Sequence, residues 1–221
     1  AEVIILPNFQ DSLAFQKWLP KVKDKFVMIS MNESTGRPDY NWEEFATEAS
    51  FEKMKIERDE QTQAFRENYR NIGYNTRTIP EVLEEAGAAG ILTSNWSKGF
   101  GASKIFGAYS NEVPTIDLSL EDYGLLYRLA ENGSKPKIRL EAKSKDLGMM
   151  PTFNTIAEIR GTEKPEEYVI LSAHFDSWDG ATGATDNGTG VITMMETARI
   201  LKEHYPNPKR TILVGLWGSE E

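Results

Sequence analysis

The sequence contains no cysteine and only two histidines among its 221 residues. The lack of cysteine excludes disulfide bonds and thiolate metal ligands. Any metal site in this chain must therefore be built from histidine, aspartate and glutamate. The composition leaves the cellular compartment open.

Long apolar runs and an excess of basic residues are also missing. No run approaches the roughly 20 apolar residues that span a bilayer, and no basic-then-apolar signal peptide opens the chain. The 34 acidic residues outnumber the 25 basic ones, and the net charge of -9 disfavours nucleic acid and anionic membranes as partners. With 39% hydrophobic residues, the chain can bury the core of one large domain or two small ones.

The first part of the chain alternates short apolar runs with helical patterns. Asp11 or Ser12 can cap a first helix, and Ser119 with Asp122 forms a capping-box-like start for another. A long charged helix with one break is predicted to end at Gly73. Strands are predicted at 2–6, 26–29, 90–93, 113–118 and 137–142, with a hairpin or flexible loop at 96–107. We expect residues 1–140 to form an α+β domain.

Residues 141–221 have a different pattern. The alternating run 153–160 is expected to form a hairpin with the apolar run that begins at Tyr168, which is predicted to be a strand buried on both faces. A helix at 188–204 and a second buried strand at 211–217 follow. Strand, helix and strand in this order predict a right-handed βαβ unit, and hence an α/β domain with a mixed sheet.

Polar side chains follow both of these buried strands. His174, Asp176 and Asp186 come after the first, and Glu220 and Glu221 come after the second. Carboxyl ends of parallel strands form the ligand crevice in open α/β sheets. Several carboxylates and an imidazole packed there would repel one another and lose solvation unless a cation neutralised them. The two strand ends together therefore indicate part of a metal site.

Each of these residues has a simpler explanation when it is taken alone. His174 at a strand end can be satisfied by the backbone, and Asp186 before a helix can be an N-cap. Adjacent carboxylates at Glu220 and Glu221 are harder to explain, because ordinary sheet packing does not require them. Asp176 lies close enough in sequence to orient the imidazole of His174.

Together, HFDSWDGATGATDNGTG and the later LVGLWGSEE resemble the co-catalytic di-zinc exopeptidases of the aminopeptidase type. The closest resemblance is to the subfamily of plasma glutamate carboxypeptidase and its bacterial relatives. It is strong over 153–221 and looser before that. It implies that residues 1–140 form a protease-associated-like inserted domain, and that 141–221 form the N-terminal half of a truncated catalytic domain.

The resemblance also implies a role for each residue of the motif. His174 would bind one zinc and Glu221 the other, while Asp186 would bridge the two and be joined to Asn187 by a cis peptide. Glu220 would be the general base of a zinc-dependent exopeptidase acting on dipeptides or short peptides. Asp176 would assist catalysis by orienting His174.

The two remaining ligands of such a family site, an Asp and a His, are expected downstream of Glu221. The other histidine, His204, fits a surface position or a partner of a helix C-terminus better than a ligand. We therefore expect this chain to be an N-terminal fragment that is inactive alone and binds zinc weakly if at all. The full-length parent would hold two zinc ions and be active.

Two other functions fit the same resemblance. One is a receptor-like or interaction module that has lost its zinc ligands, and the other is a single-zinc acyl transferase similar to glutaminyl cyclase. Trp178 and Asp179 are candidates for a specificity pocket, with packing as the alternative for Trp178. The expected partner is a short peptide, without nucleic acid or membrane insertion, and the full-length protein is a candidate homodimer. A secreted or periplasmic location follows from the resemblance alone.

Overall fold

The computed structural model describes residues 1–100, 110, 112–143, 145, 147–178 and 180–221. The chain divides into two compact units, Ala1–Ala142 and Lys143–Glu221, close to the boundary at residue 140 expected from the sequence. Most of the loop predicted at 96–107 lies outside the described residues. Within them, no helix combines the length and the apolar character that crossing a membrane requires.

The first unit is built on a four-stranded sheet in the order β1-β2-β3-β4, in which every neighbouring pair is parallel. Because parallel strands need long crossover connections, most of the helices lie between them. This arrangement is α/β, which differs from the expected α+β character. The strands are β1 (Glu2–Ile5), β2 (Lys25–Met28), β3 (Gly90–Thr93) and β4 (Thr115–Asp117). The helices are α1 (Ser12–Trp18), α2 (Asp39–Phe45), α3 (Glu48–Ile72), α4 (Ile79–Glu85) and α5 (Leu120–Glu131).

Local capping signals fix the ends of α1, α3 and α5. The Asp11 side chain accepts a hydrogen bond from the main-chain N–H of Ala14, and Ser119 accepts one from that of Asp122. The predicted break in the long charged helix is confirmed, because α2 ends before Thr47, whose side chain caps α3. Gly73 ends α3 in the left-handed conformation with φ of 79°, which glycine adopts without a steric cost.

Apolar side chains pack against both faces of the first sheet. Phe15, Ile72 and Leu83 from α1, α3 and α4 cover one face, and α5 covers the other. Two buried tyrosines hold the end of β2 from opposite faces. The hydroxyl of Tyr69 in α3 donates to the carbonyl of Ile29, and that of Tyr123 in α5 donates to Ser30, each at 2.7 Å. Burial raises the pKa of both hydroxyls, so both remain donors.

The prediction of a strand at 137–142 is wrong. Lys137 forms only an isolated antiparallel bridge with Glu2. Ile138 exchanges hydrogen bonds with Ala1 at the start of the chain. Pairing is limited to this short stretch next to β1. The alternation of apolar and polar residues in 137–142 is therefore not sufficient to form a strand.

The second unit contains a three-stranded sheet with the order β5-β7-β6. Strand β6 pairs with β7 in parallel, and β5 pairs with β7 in antiparallel fashion, so the predicted βαβ unit and mixed sheet are confirmed. The elements are β5 (Thr155–Ile159), β6 (Lys164–His174), α6 (Thr189–His204) and β7 (Arg210–Trp217).

Two details of this sheet correct the sequence-based expectations. The hairpin between β5 and β6 is wrong, because β7, with its buried Ile212, Val214 and Leu216, lies between them and pairs with both. The prediction that the strand starting at Tyr168 is buried on both faces is also wrong for the described chain. That strand is at the sheet edge. Helix α6 packs against one of its faces, and on the opposite face Tyr168 is 56% and Ile170 60% exposed.

Candidate metal centre

His174 is the last residue of β6, and its side chain is buried. Ring atom Nδ1 lies 3.0 Å from the carbonyl oxygen of Asp176, to which a protonated Nδ1 donates. This bond leaves the lone pair of Nε2 free to bind a cation. Nε2 lies 3.1 Å from Oδ1 of Asp186 and 3.7 Å from Oε2 of Glu220. A lone pair cannot face two carboxylates stably unless a proton or a metal ion lies between them.

Asp186 reaches this position from the irregular turn Ala184–Gly188 that precedes α6. The Asp186–Asn187 peptide is cis, which confirms the expectation from the resemblance. The neighbouring Asn187, rather than Asp186, bonds to the start of α6, since its Oδ1 accepts from the main-chain N–H of Gly190 at 3.1 Å. Asp186 is therefore not used as a helix cap, and its carboxylate is available to a ligand.

Asp176 ties the ends of the two strands together. Its Oδ2 accepts hydrogen bonds from the main-chain N–H groups of Glu220 at 2.8 Å and Glu221 at 2.9 Å. Its Oδ1 lies 3.4 Å from Nδ1 of His174. The carboxylate was expected to orient the imidazole. In the structure the nearer acceptor for Nδ1 is the carbonyl of the same residue, and the carboxylate mainly fixes the backbone of the two glutamates.

A second pair of side chains holds the turn that precedes those glutamates. Oδ1 of Asn154 accepts from the main-chain N–H of Gly218 at 3.0 Å, and the Thr152 hydroxyl donates to the Gly218 carbonyl at 2.9 Å. A Cβ on Gly218 would lie 2.7 Å from the carbonyl oxygen of Phe153, so only glycine fits without a shift. Sequence reasoning missed Thr152 and Asn154, because no local pattern links residues more than 60 positions apart.

Several acidic side chains surround one imidazole in this cluster, and the pKa values of these groups are shifted by their surroundings. Desolvation raises the pKa of Glu221, and the nearby Asp186 and Glu220 add to this rise. Desolvation acts to lower the pKa of His174, but its bond to the Asp176 carbonyl and the surrounding carboxylates raise it overall. The hydrogen bond from the N–H of Glu221 lowers the pKa of Asp176. A bound cation would relieve the repulsion among the other acids.

His174, Asp186 and Glu221 form a group whose ligand atoms all lie within 4.8 Å of one another. Zinc binds imidazole nitrogen and carboxylate oxygen at about 2.0–2.2 Å. Two ligands of one ion are then about 3–4 Å apart, as His174 Nε2 and Asp186 Oδ1 are. The nitrogen and oxygen donors present, without thiolate, therefore fit zinc. All three residues are the ones expected from the sequence to be metal ligands.

The remaining candidate residues lie elsewhere or are not described. His204 is at the end of α6 with an exposed side chain, next to Glu203, as expected for a surface residue. Trp178 follows β6 and is 43% exposed, and its role in a specificity pocket stays a prediction. Asp179 lies outside the described residues.

Comparison with known proteins gives a consistent result. The family model "Peptidase family M28" matches residues 154–221. Carboxypeptidase Q from Mus musculus is 40% identical over 110 residues, which are 50% of this chain and 23% of that protein. The chain thus spans well under half the length of this relative.

Two solved structures share the fold. A peptidase M28 precursor from Shewanella amazonensis matches with a TM-score of 0.56 and 22% identity over 98% of this chain and 43% of that chain. A zinc aminopeptidase from Bacillus subtilis matches with a TM-score of 0.52 and 19% identity over 100% of this chain and 42% of that chain. The expected resemblance to zinc exopeptidases is confirmed, and residues 154–221 match the model of peptidase family M28.

Proposed function

We propose that the protein to which this chain belongs is a zinc-dependent exopeptidase that hydrolyses a terminal peptide bond of dipeptides or short peptides. One observation carries the proposal. The ligand atoms of His174, Asp186 and Glu221 converge within 4.8 Å, and Glu220 lies beside them with its Oε2 3.7 Å from the His174 ring. The names of the relatives include peptidase activity, and we propose the same activity here because of the similarity to them.

The ligands take the roles that the resemblance implies. His174 would hold one zinc, Glu221 the other, and Asp186 would bridge the two. Zinc would supply Lewis acidity toward the peptide carbonyl and lower the pKa of water to near neutrality. The hydrogen bond from His174 Nδ1 to the Asp176 carbonyl keeps Nε2 in the tautomer that can bind a metal.

Glu220 is the proposed general base. Its carboxylate would accept a proton from the attacking water and deliver it to the leaving amine. Asp176 supports this role by holding the main-chain N–H groups of Glu220 and Glu221 on one carboxylate oxygen. The base and the neighbouring ligand are thereby kept in a fixed relation to His174.

The chain alone is proposed to be inactive. Among the described residues the metal group has three members, and the resemblance places two further ligands, an Asp and a His, downstream of Glu221. A site with fewer ligands binds zinc more weakly and leaves the second ion without its full coordination shell.

Three further parts of the proposal, which concern the whole protein, rest on the resemblance alone. The first unit would be a protease-associated-like domain, the protein would be secreted or periplasmic, and the full-length form would be a homodimer. A short peptide is the proposed substrate. The names of the relatives include both carboxypeptidase and aminopeptidase, so the assay should offer peptides blocked at either end.

The test uses the full-length protein loaded with zinc and assayed on free, amino-blocked and carboxyl-blocked short peptides. We expect Glu220→Gln to lower kcat by about 100-fold or more while zinc content is retained, because the general base is lost. The matched control is Glu166→Gln, the same change at an exposed position of β6, which should leave kcat unchanged. Unchanged turnover in Glu220→Gln would refute the assigned role, and a zinc-free full-length protein would favour the receptor-like alternative.

A further inference from the structure

A cleft with a volume of about 290 Å³ opens in the first unit, at the carboxyl ends of β1 and β2. Its apolar lining includes Leu6, Met28 and Phe65, and residues of α3 and α5 also line it. Ligands of open α/β sheets bind at the carboxyl edge of the strands, and this volume is near the lower limit of small-molecule sites. The cleft belongs to a different unit from the metal centre.

Three amide side chains at the exposed mouth of the cleft are open to a ligand. Asn8, Asn32 and Gln61 line it, and their side chains form no hydrogen bond within the part of the chain that the structure describes. Asn68, in contrast, bonds to the protein through both polar atoms of its side chain, since Oδ1 accepts from the N–H of Phe9 and Nδ2 donates to the Pro7 carbonyl. The three uncommitted amides therefore supply donors and acceptors to a ligand.

The charge of the cleft has one sign. Glu131 is the charged residue among those that line it, and no lysine or arginine of the described chain does so. Glu131 is also the last residue of α5, and a helix C-terminus carries a partial negative charge that favours cations. Tyr127, one turn earlier, adds a hydroxyl whose pKa is raised by burial and by Glu131, so it remains a donor.

We propose that this cleft binds the free amino end of an amino acid amide or a dipeptide. The ammonium group pairs with the Glu131 carboxylate at the end of α5, and the ligand amide bonds to Asn32 and Gln61. An apolar ligand side chain lies on Ile5 and Phe65. The proposal does not depend on the metal centre, so its failure would leave the proposed peptidase activity untouched.

The test is isothermal titration calorimetry of the metal-free 221-residue chain. The probes are L-leucinamide, at a pH where its amine is protonated, and N-acetyl-L-leucinamide, which has the same side chain and amide but no charge. We expect leucinamide to bind and the acetylated probe to bind at least about tenfold more weakly, because the acetylated probe cannot form the charged hydrogen bond to Glu131.

Three variants locate the binding. Glu131→Gln should weaken leucinamide binding by about tenfold, and Ala64→Phe, at an exposed α3 position that lines the cleft, should block it sterically. The control is Glu121→Gln, the same chemical change in the first turn of the same helix, which should bind like the wild type. Circular dichroism and thermal unfolding establish that each variant is folded.

Three results would overturn the proposal. They are equal affinity for the two probes, unchanged affinity in folded Glu131→Gln and Ala64→Phe, and no detectable binding of leucinamide to the wild type.

Discussion

The two buried tyrosines that donate hydrogen bonds to the end of β2 give the most quantitative prediction. Tyr69→Phe and Tyr123→Phe each keep the packed ring and delete only the hydroxyl. In the wild type these hydroxyls donate to the carbonyls of Ile29 and Ser30 at 2.7 Å. The substitutions therefore test the hydrogen bonds with little change in the packing around them.

The magnitude follows from what each substitution leaves behind. A buried carbonyl that loses its partner costs about 1–3 kcal/mol, so we expect each variant to lose about 1.5 kcal/mol of unfolding free energy. This loss corresponds to a fall of roughly 3–10 °C in the unfolding midpoint. Because the carbonyls of Ile29 and Ser30 are adjacent, the double variant should lose about 2–4 kcal/mol, with a measurable coupling between the two sites.

Urea unfolding of the chain, followed by circular dichroism, measures these losses of unfolding free energy. The control is Tyr40→Phe, an exposed tyrosine of the same unit, which should lie within about 0.5 kcal/mol of the wild type. If Tyr69→Phe and Tyr123→Phe were no less stable than this control, the two hydroxyls would not hold the end of β2. Because Ser30 and Asn32 line the cleft, both variants should also bind leucinamide more weakly.

Three further predictions concern acidic residues and one glycine. In the zinc-loaded full-length protein, Asp176→Ala should weaken zinc binding by about 10–100-fold in competition with a chromophoric chelator; unchanged affinity would show that its bonds to Glu220 and Glu221 are dispensable. Desolvation raises the pKa of Asp117, so the native state holds that proton more tightly than the unfolded state. Wild-type stability should then fall as pH rises from the ordinary aspartate pKa through the raised value, and Asp117→Asn should lack this loss in urea unfolding at several pH values; parallel pH profiles would contradict it. Gly218→Ala should lower kcat of the proposed peptidase activity in the full-length protein, because its Cβ would meet the Phe153 carbonyl, and normal steady-state kinetics would show that the turn tolerates a side chain.

Local signals in the sequence predicted most helix ends correctly. The caps at Asp11 and Ser119 and the stop at Gly73 each depend on residues within one turn of the helix end. Such interactions form between near neighbours and leave a pattern in the sequence. The βαβ unit of the second half was predictable for a related reason, since parallel strands need a helical crossover.

Strand pairing was predicted less well. The short connection between β5 and β6 favoured a hairpin, yet both strands pair with β7, which begins at Arg210, 46 residues after β6 begins at Lys164. Alternation near Lys137 likewise suggested a strand where only one bridge forms. Pairing depends on which backbone edges meet in space, and a sequence pattern describes only one strand at a time.

The sequence by itself determined the chemistry of the candidate metal centre. It placed an imidazole and carboxylates after two apolar strands and excluded thiolate ligands, because residue types and strand ends are local properties. Only the tertiary structure decided that β7 is the central strand and that Asn187 bonds the start of α6 while Asp186 is left for a metal. It also decided that Asp176 and Asn154 hold the turn that carries Glu220 and Glu221. The contacts of Asp176 and Asn154 join residues far apart in the chain, and their geometry is set by the packing of whole elements.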